Sequence, residues 1–255
     1  MGDAVKRRYQ EVAEAIRAEV ASSTLKPGDR LKTERQMAEE MGVSRSLVRE
    51  AVITLELEGL VEVRKGSGIY LAEPAAEPEP EVAADDSLTD DIGPFELLQA
   101  RQLLESTIAA FAAEMVSMAD IRRMREALDM EREAIEKNSD DGYAGDELFH
   151  RLIAEATQNS VMVDLLDELW AKRKKSRMWA QLHMRVFNSD YRRRWLSDHR
   201  AILQALQMKD PARARQAMWQ HLQNVRETLM ALSDVDDPAF DGFVFGSDEI
   251  GRIVG

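Results

Sequence analysis

The chain of 255 residues contains no cysteine. That absence excludes a disulfide scaffold, thiolate metal sites and cysteine nucleophiles, and it fits a reducing compartment, so a cytoplasmic location is expected. No apolar run approaches the length of about 18 residues needed for a membrane-spanning helix, so no membrane partner is expected. Met1 to Gln10 is polar and basic, without the apolar core of a secretory signal. No glycine-rich phosphate loop interrupts the pattern. Positive charge is scarce too: 34 Lys and Arg stand against 47 Asp and Glu, for a net charge of −13. A charge of that sign argues against non-specific nucleic-acid binding by the whole molecule, but not against a basic face on one part of it.

The charge is unevenly spread. Residues 1–72 hold 12 basic and 12 acidic side chains, whereas 73–93 hold 8 acidic and none basic. Glu73 to Glu81 reads Glu-Pro-Ala-Ala-Glu-Pro-Glu-Pro-Glu, with proline too frequent for a helix or a strand. Like charges extend such a segment, so 73–93 is expected to be a linker. It separates a head at 1–72 from a body at 94–233, with a tail at 234–255.

The head alternates helix signals with stops. Tyr9, Val12, Ile16 and Val20 recur at helical spacing. Thr33 caps a short helix at 34–41, with Gln36 placed as its capping-box partner, and Gly42 ends it. Ser44 caps the next helix, 45–58, which Gly59 stops. Residues 60–64 and 69–72 read as strands flanking Lys65-Gly66-Ser67-Gly68. Helix, helix, glycine turn, helix, hairpin is the plan of a winged helix-turn-helix, whose third helix enters the major groove. Its first turn would carry Ser44, Arg45, Ser46 and Arg49. Arg45 and Arg49 are four apart and share a face, and arginine matches guanine O6 and N7. The serines would meet phosphates, with Arg35 at the backbone and Lys65 and Gly66 at the wing tip. The competing possibilities are that the arginines are solvated, with Arg49 paired to a glutamate, and that Ser44 only caps.

The stretches Leu31 to Ala38, Gly42 to Ala51, Glu58 to Val61 and Gly66 to Tyr70 resemble the DNA-binding domain of the GntR family across nearly the whole head. Where that family usually has Pro-Ser, this chain has Lys32-Thr33. Thr33 keeps a capping oxygen, and Lys32 offers a phosphate contact.

The body reads as helices throughout, at 94–116, 118–137, 143–157, 161–182, 190–208 and 211–232. The fold class expected is therefore mainly α: a winged helix-turn-helix followed by an antiparallel helical bundle. Of the four histidines, three lie on inward stripes. Asp146 and His150 share a face with Ile153; His199 lies in line with Leu196 and Ile202; His221 lies in line with Ala217 and Val225. A lone buried imidazole needs one partner, but three with a carboxylate are costly unless an ion joins them. Imidazole and carboxylate suit a divalent metal, with Zn first and Ni, Mn or Fe also fitting. Arg101 sits on the stripe formed by Leu97, Leu104, Ile108, Phe111 and Met115, and a buried guanidinium needs an anion. Glu105, four residues on, or a ligand carboxylate would serve.

The pattern Asp146-x-x-x-His150, His199, His221 resembles that of the FCD ligand domain of FadR-type GntR regulators, an antiparallel bundle that binds small carboxylates. The resemblance implies that Asn159 lies near the metal and that Arg101 faces the carboxylate. Gly93 to Ser106, Ala217 to Leu222 and the segment Asp236 to Gly242 are similar to hexuronate-operon regulators of the UxuR/ExuR type, which implies further pocket positions at Trp179 and His183. The expectation is a homodimeric repressor on a palindromic operator, released by a hexuronate or its keto isomer. The alternatives are lactate, pyruvate or citrate as effector, or a metal-dependent sugar-acid enzyme, which lacks an obvious general base here.

Overall fold

A short capped helix and a longer one pack beside a hairpin in the head because their stop signals are where the sequence puts them. The computed structural model describes residues 7–64, 66–73, 91–137, 143–185 and 190–234. The head holds α1 (Arg8–Ser22), α2 (Glu34–Met41), α3 (Arg45–Leu57), β1 (Val61–Arg64) and β2 (Gly68–Leu71). Thr33 Oγ1 accepts from the Gln36 N–H at 3.2 Å, and Gln36 Oε1 accepts from the Thr33 N–H at 2.9 Å. Gly42 closes α2 at φ +65°, a conformation that favours glycine. Ser44 Oγ accepts from the Leu47 N–H to start α3. β1 and β2 pair antiparallel, with Val61 opposite Leu71 and Arg64 opposite Gly68. Val12, Ile16, Leu31, Met37, Val48, Val52, Leu55, Val61 and Ile69 form one buried core.

The described part of the body is helical: α4 (Pro94–Met115), α5 (Met118–Glu136), α6 (Ala144–Ala156), α7 (Ser160–Lys175), α8 (Arg177–Arg185), α9 (Asp190–Gln207) and α10 (Pro211–Leu232). The chain forms two compact units. One comprises Met1–Phe95, Ser176–Phe187 and Met230–Gly255; the other comprises Glu96–Lys175 and Asn188–Leu229. Packing thus differs from the continuous partition expected from sequence, because α8 and the end of α10 belong with the head. Most of the expected linker, and the tail from 235 onward, lie outside the described residues.

The single helix expected over 161–182 is two. Four consecutive cations, Lys172 to Lys175, end α7, where the negative end of the helix dipole favours them. Ser176 then restarts the chain as a cap, its Oγ accepting from the Trp179 N–H at 3.0 Å. In the second unit α6 lies against α5, and Gly145 makes that possible. A Cβ at this position would stand 2.6 Å from the Glu131 backbone nitrogen. Close approach at this point brings the start of α6, and so Asp146, against α5. The apolar stripe expected on α4 is also shifted: Phe111 and Met115 are 41% and 39% exposed, and Leu98, Ala109, Ala112 and Ala113 are buried in their place.

Candidate DNA-reading helix and metal site

In the first unit, Ser44, Arg45 and Ser46 stand at the start of α3, with Ser44 exposed and the other two half-buried. Ser44 and Ser46 hydroxyls are 3.1 Å apart. Arg45 Nη2 donates to Asp234 Oδ2 at 2.6 Å. Arg35 is exposed on α2 and pairs with Glu39 at 3.1 Å. Exposed Lys32 lies 2.7 Å from Glu19 and also meets Glu40, and those hydrogen-bonded carboxylates raise its pKa. The Thr33 hydroxyl is spent on the cap. Gly66 is exposed in the hairpin turn, and Lys65 lies outside the described residues.

Arg49 does not join this surface. It is fully buried, with Nε donating to both Glu34 oxygens at 3.0 and 2.9 Å. Its Nη1 donates to the Met230 carbonyl at 2.6 Å and to Ser233 Oγ at 2.7 Å. The expectation that Arg49 reads bases is corrected for a plain reason. Four-residue spacing puts Arg45 and Arg49 on one face, but one turn into α3 that face is covered by Glu34 of α2 and by residues 230–234.

In the second unit, three helices converge on one point. Asp146 and His150 come from α6, His199 from α9 and His221 from α10, with one potential ligand atom of each within 4.8 Å of the others. His199 Nε2 is 3.3 Å from His150 Nε2, 3.1 Å from His221 Nε2 and 3.5 Å from Asp146 Oδ1. Asp146 Oδ1 is 3.4 Å from His150 Nε2. Donors held about 2.1 Å from one ion are separated by about 3 to 3.5 Å, so this arrangement fits a divalent metal with little movement. The histidines are all at most 2% exposed.

The opposite nitrogens of the rings face carboxylates that sequence reasoning did not single out as a set. Glu105 meets His150 Nδ1, Glu131 meets His199 Nδ1 at 2.8 Å, and Asp198 stands 3.5 Å from His221 Nδ1. A carboxylate on the far nitrogen orients a ligating imidazole and raises its basicity. In the sequence Glu105 is marked only by its spacing from Arg101, and neither Glu131 nor Asp198 is marked as the partner of an imidazole. Burial alone would lower the His150 pKa, but Glu105 and Asp146 overcome it and raise the value to about 9. Burial and the neighbouring His199 push His221 the other way, to about 3. Burial opposes ionisation of Glu105, yet Arg101 and His150 hold its carboxyl at about 2.

Arg101 Nε donates to Glu105 Oε1 at 2.6 Å, and its guanidinium carbon lies 4.3 Å from the Trp170 ring centroid. Its remaining nitrogens meet no acceptor among the described residues. Of the two partners the sequence leaves open, Glu105 takes one edge of the guanidinium. Asn159 caps α7, with Oδ1 accepting from the Val161 N–H at 3.1 Å. Trp179 and His183 lie on α8 in the first unit, ring centroids 5.9 Å apart. No helix among the described residues is long and apolar enough to cross a membrane.

Comparison with known proteins matches residues 8–71 to the bacterial regulatory proteins of the gntR family and residues 96–224 to the FCD domain. The chain is 46% identical over 250 residues to the Uxu operon regulator of Haemophilus influenzae, covering 98% of this chain and 92% of that one. It is 48% identical over 243 residues to the Uxu operon transcriptional regulator of Escherichia coli, covering 95% and 94%. With the Exu regulon transcriptional regulator of Escherichia coli the identity is 41% over 234 residues, covering 91% and 87%. A DNA-reading head followed by an FCD domain, matched nearly end to end by regulators, makes the chain a transcriptional regulator and not an enzyme: it belongs to the GntR family of bacterial regulatory proteins.

Proposed function

We propose that this protein is a cytoplasmic regulator of hexuronate catabolism that represses as a homodimer on a palindromic operator. Its FCD domain holds one divalent metal per chain through Asp146, His150, His199 and His221, Zn before Ni, Mn or Fe. A hexuronate or its keto isomer is the effector. The observation that carries this reading is the convergence of the four donors beside Arg101, whose free guanidinium edge suits a carboxylate bidentately. The operon names of the relatives support the choice of acid. The metal would polarise the acid's oxygens, while Arg101 orients its carboxylate and Asn159, with an uncommitted amide nitrogen, meets a sugar hydroxyl. A ligand shifts DNA occupancy only by favouring a conformation that fits the operator less well.

Calorimetry with glucuronate, galacturonate, fructuronate, tagaturonate, lactate, pyruvate and citrate tests the effector. Arg101→Lys keeps a cation for Glu105 but loses the planar fork. It is expected to weaken hexuronate binding at least about tenfold, or about 1.4 kcal/mol, with operator affinity unchanged. Binding of short acids alone would reassign the effector.

Arg45, with Ser44 and Ser46, is the proposed base- and phosphate-contacting set, joined by Lys32, Arg35, Lys65 and Gly66. Arg45→Ala is expected to cost about 1–3 kcal/mol at the operator and to relax specificity at one position. Equal affinity at matched salt would displace the reading helix from this role.

Leu103, Phe111 and Met115 leave 57%, 41% and 39% of their surface exposed on neighbouring faces of α4. An exposed apolar patch of this kind fits association with a second copy. Phe111→Arg is accordingly expected to shift the mass measured by light scattering from dimer towards monomer.

A further inference from the structure

Arg45, the proposed base contact, is held by a residue almost 190 positions further along the chain. Its Nη2 donates to Asp234 Oδ2 at 2.6 Å, and Asp234 Oδ1 lies 3.6 Å from Nη2 of the buried Arg49. One carboxylate therefore faces two arginines of α3. It is not a loose surface acid. Its side chain is 20% exposed, against 40% for Arg45, and its backbone N–H donates to the Ala231 carbonyl at 3.3 Å. Arg49 also fixes the residues just before it, since its Nη1 donates to the Met230 carbonyl and to Ser233 Oγ. An exposed ion pair spends much of its attraction on ordering two long side chains. Here the acid is short and already in place, so less is spent.

Which nitrogen Asp234 holds decides what the contact does. A guanidinium offers a guanine edge two bidentate forks, Nε with Nη2 or Nη1 with Nη2. Arg45 Nε is buried, so the first fork is closed to a groove. The second is left for a base, and Asp234 sits on one of its two nitrogens. Glu34, the other carboxylate of this region, is taken up by Arg49.

We infer that Asp234 is an intramolecular competitor of DNA for Arg45: operator binding has to exchange the carboxylate on Nη2 for the guanine edge. This rests on the reading of Arg45 as a base contact. The exchange sets operator affinity below what α3 alone would give and places its control in residues 230–234. A conformation that holds Asp234 on Arg45 weakens DNA binding, and one that withdraws it strengthens binding.

The test uses full-length protein and a duplex that the wild type selects from a random library, with a scrambled duplex of equal length as control. Asp234→Asn keeps the shape and removes the charge. Asp234→Ser, also uncharged, is measured beside it, so that a folding loss particular to asparagine does not decide the result. Fluorescence anisotropy at matched salt is expected to show the selected duplex bound roughly three- to tenfold more tightly by either variant. The scrambled duplex should gain less than half that factor, because merely removing a negative charge would raise both equally. In an Arg45→Ala background the same substitutions should change affinity by less than about twofold. Unchanged affinity in variants that melt like wild type overturns the inference, and weaker binding would make Asp234 a residue that orients Arg45 for the base. A gain equal on both duplexes, or one that persists without Arg45, overturns it as well. In each of these cases the reading of Arg45 stands if Arg45→Ala alone weakens binding to the selected duplex. If Arg45→Ala binds that duplex as tightly as wild type, or wild type selects no sequence, both fall.

Discussion

Arg49→Met is expected to destabilise the head by about 3–5 kcal/mol, the cost of removing one partner from a buried ion pair. Both Arg49 and Glu34 are fully buried. Without the guanidinium, Glu34 keeps its charge in a dry site, and the Met230 carbonyl and Ser233 hydroxyl lose a donor. A domain of about 70 residues has only some 5–10 kcal/mol to lose, so operator binding at 37 °C should fail through unfolding and not through a missing base contact. The distinction is measurable. Denaturant unfolding should show the loss directly, and binding at low temperature should recover in part. Adding Glu34→Gln to Arg49→Met should cost much less than the sum of the two single changes, because the isolated charge is gone. A shift below about 1 kcal/mol for Arg49→Met would remove the ion pair from its structural role.

The case of Arg49 shows where sequence reading stopped. Spacing told which residues share a face, but not how far along α3 that face stays open. The end of that open stretch is set by Glu34, 15 residues away, and by Ser233, 184 residues away. The caps at Thr33 and Ser44 were legible because each depends on neighbours within three residues. The grouping of Asp146, His150, His199 and His221 was legible for a related reason: each lies on an apolar stripe of its own helix, and inward stripes of a bundle must meet. Glu105, Glu131 and Asp198 carried no such mark. Spacing offers Glu105 only as a partner of Arg101, Glu131 and Asp198 read as ordinary charged residues, and only packing shows each of the three against an imidazole. The break at Ser176 was hidden because the residues on either side are good helix formers. What divides them is a cap hydroxyl and a change of packing partner. Hydrophobicity alone places Phe111 and Met115 on the inward stripe of α4, whereas Ala109, Ala112 and Ala113 are the buried residues, because small side chains face inward where helices approach closely.

The largest effect expected in the second unit is on His199→Ala. His199 Nε2 lies within 3.5 Å of all three other donors, so its loss removes three close contacts of the cluster at once and leaves that between Asp146 and His150. Elemental analysis should find about one divalent ion per wild-type chain and none in the variant. An ion held at a thousand times its dissociation constant stabilises the fold by about 4 kcal/mol, so chelation should lower the wild-type melting temperature and leave that of His199→Ala nearly unmoved. Alanine also leaves Glu131 without its imidazole, and His199→Gln serves as the milder variant. The pH dependence has a definite sign. Glu105 and Asp146 raise His150 to about 9, so at neutral pH the metal-free ring carries a proton on a nitrogen the ion needs. His221, held near 3, is already neutral there. One proton must therefore leave on binding, and affinity should rise about tenfold per pH unit up to roughly pH 9, then level off. Affinity that is flat between pH 6 and 9 would mean that His150 holds no proton to displace. Wild-type protein with neither stoichiometric metal nor any stabilisation by added Zn, Ni or Mn would end the metal assignment, and the three buried imidazoles would then have to be held by Glu105, Glu131 and Asp198 alone.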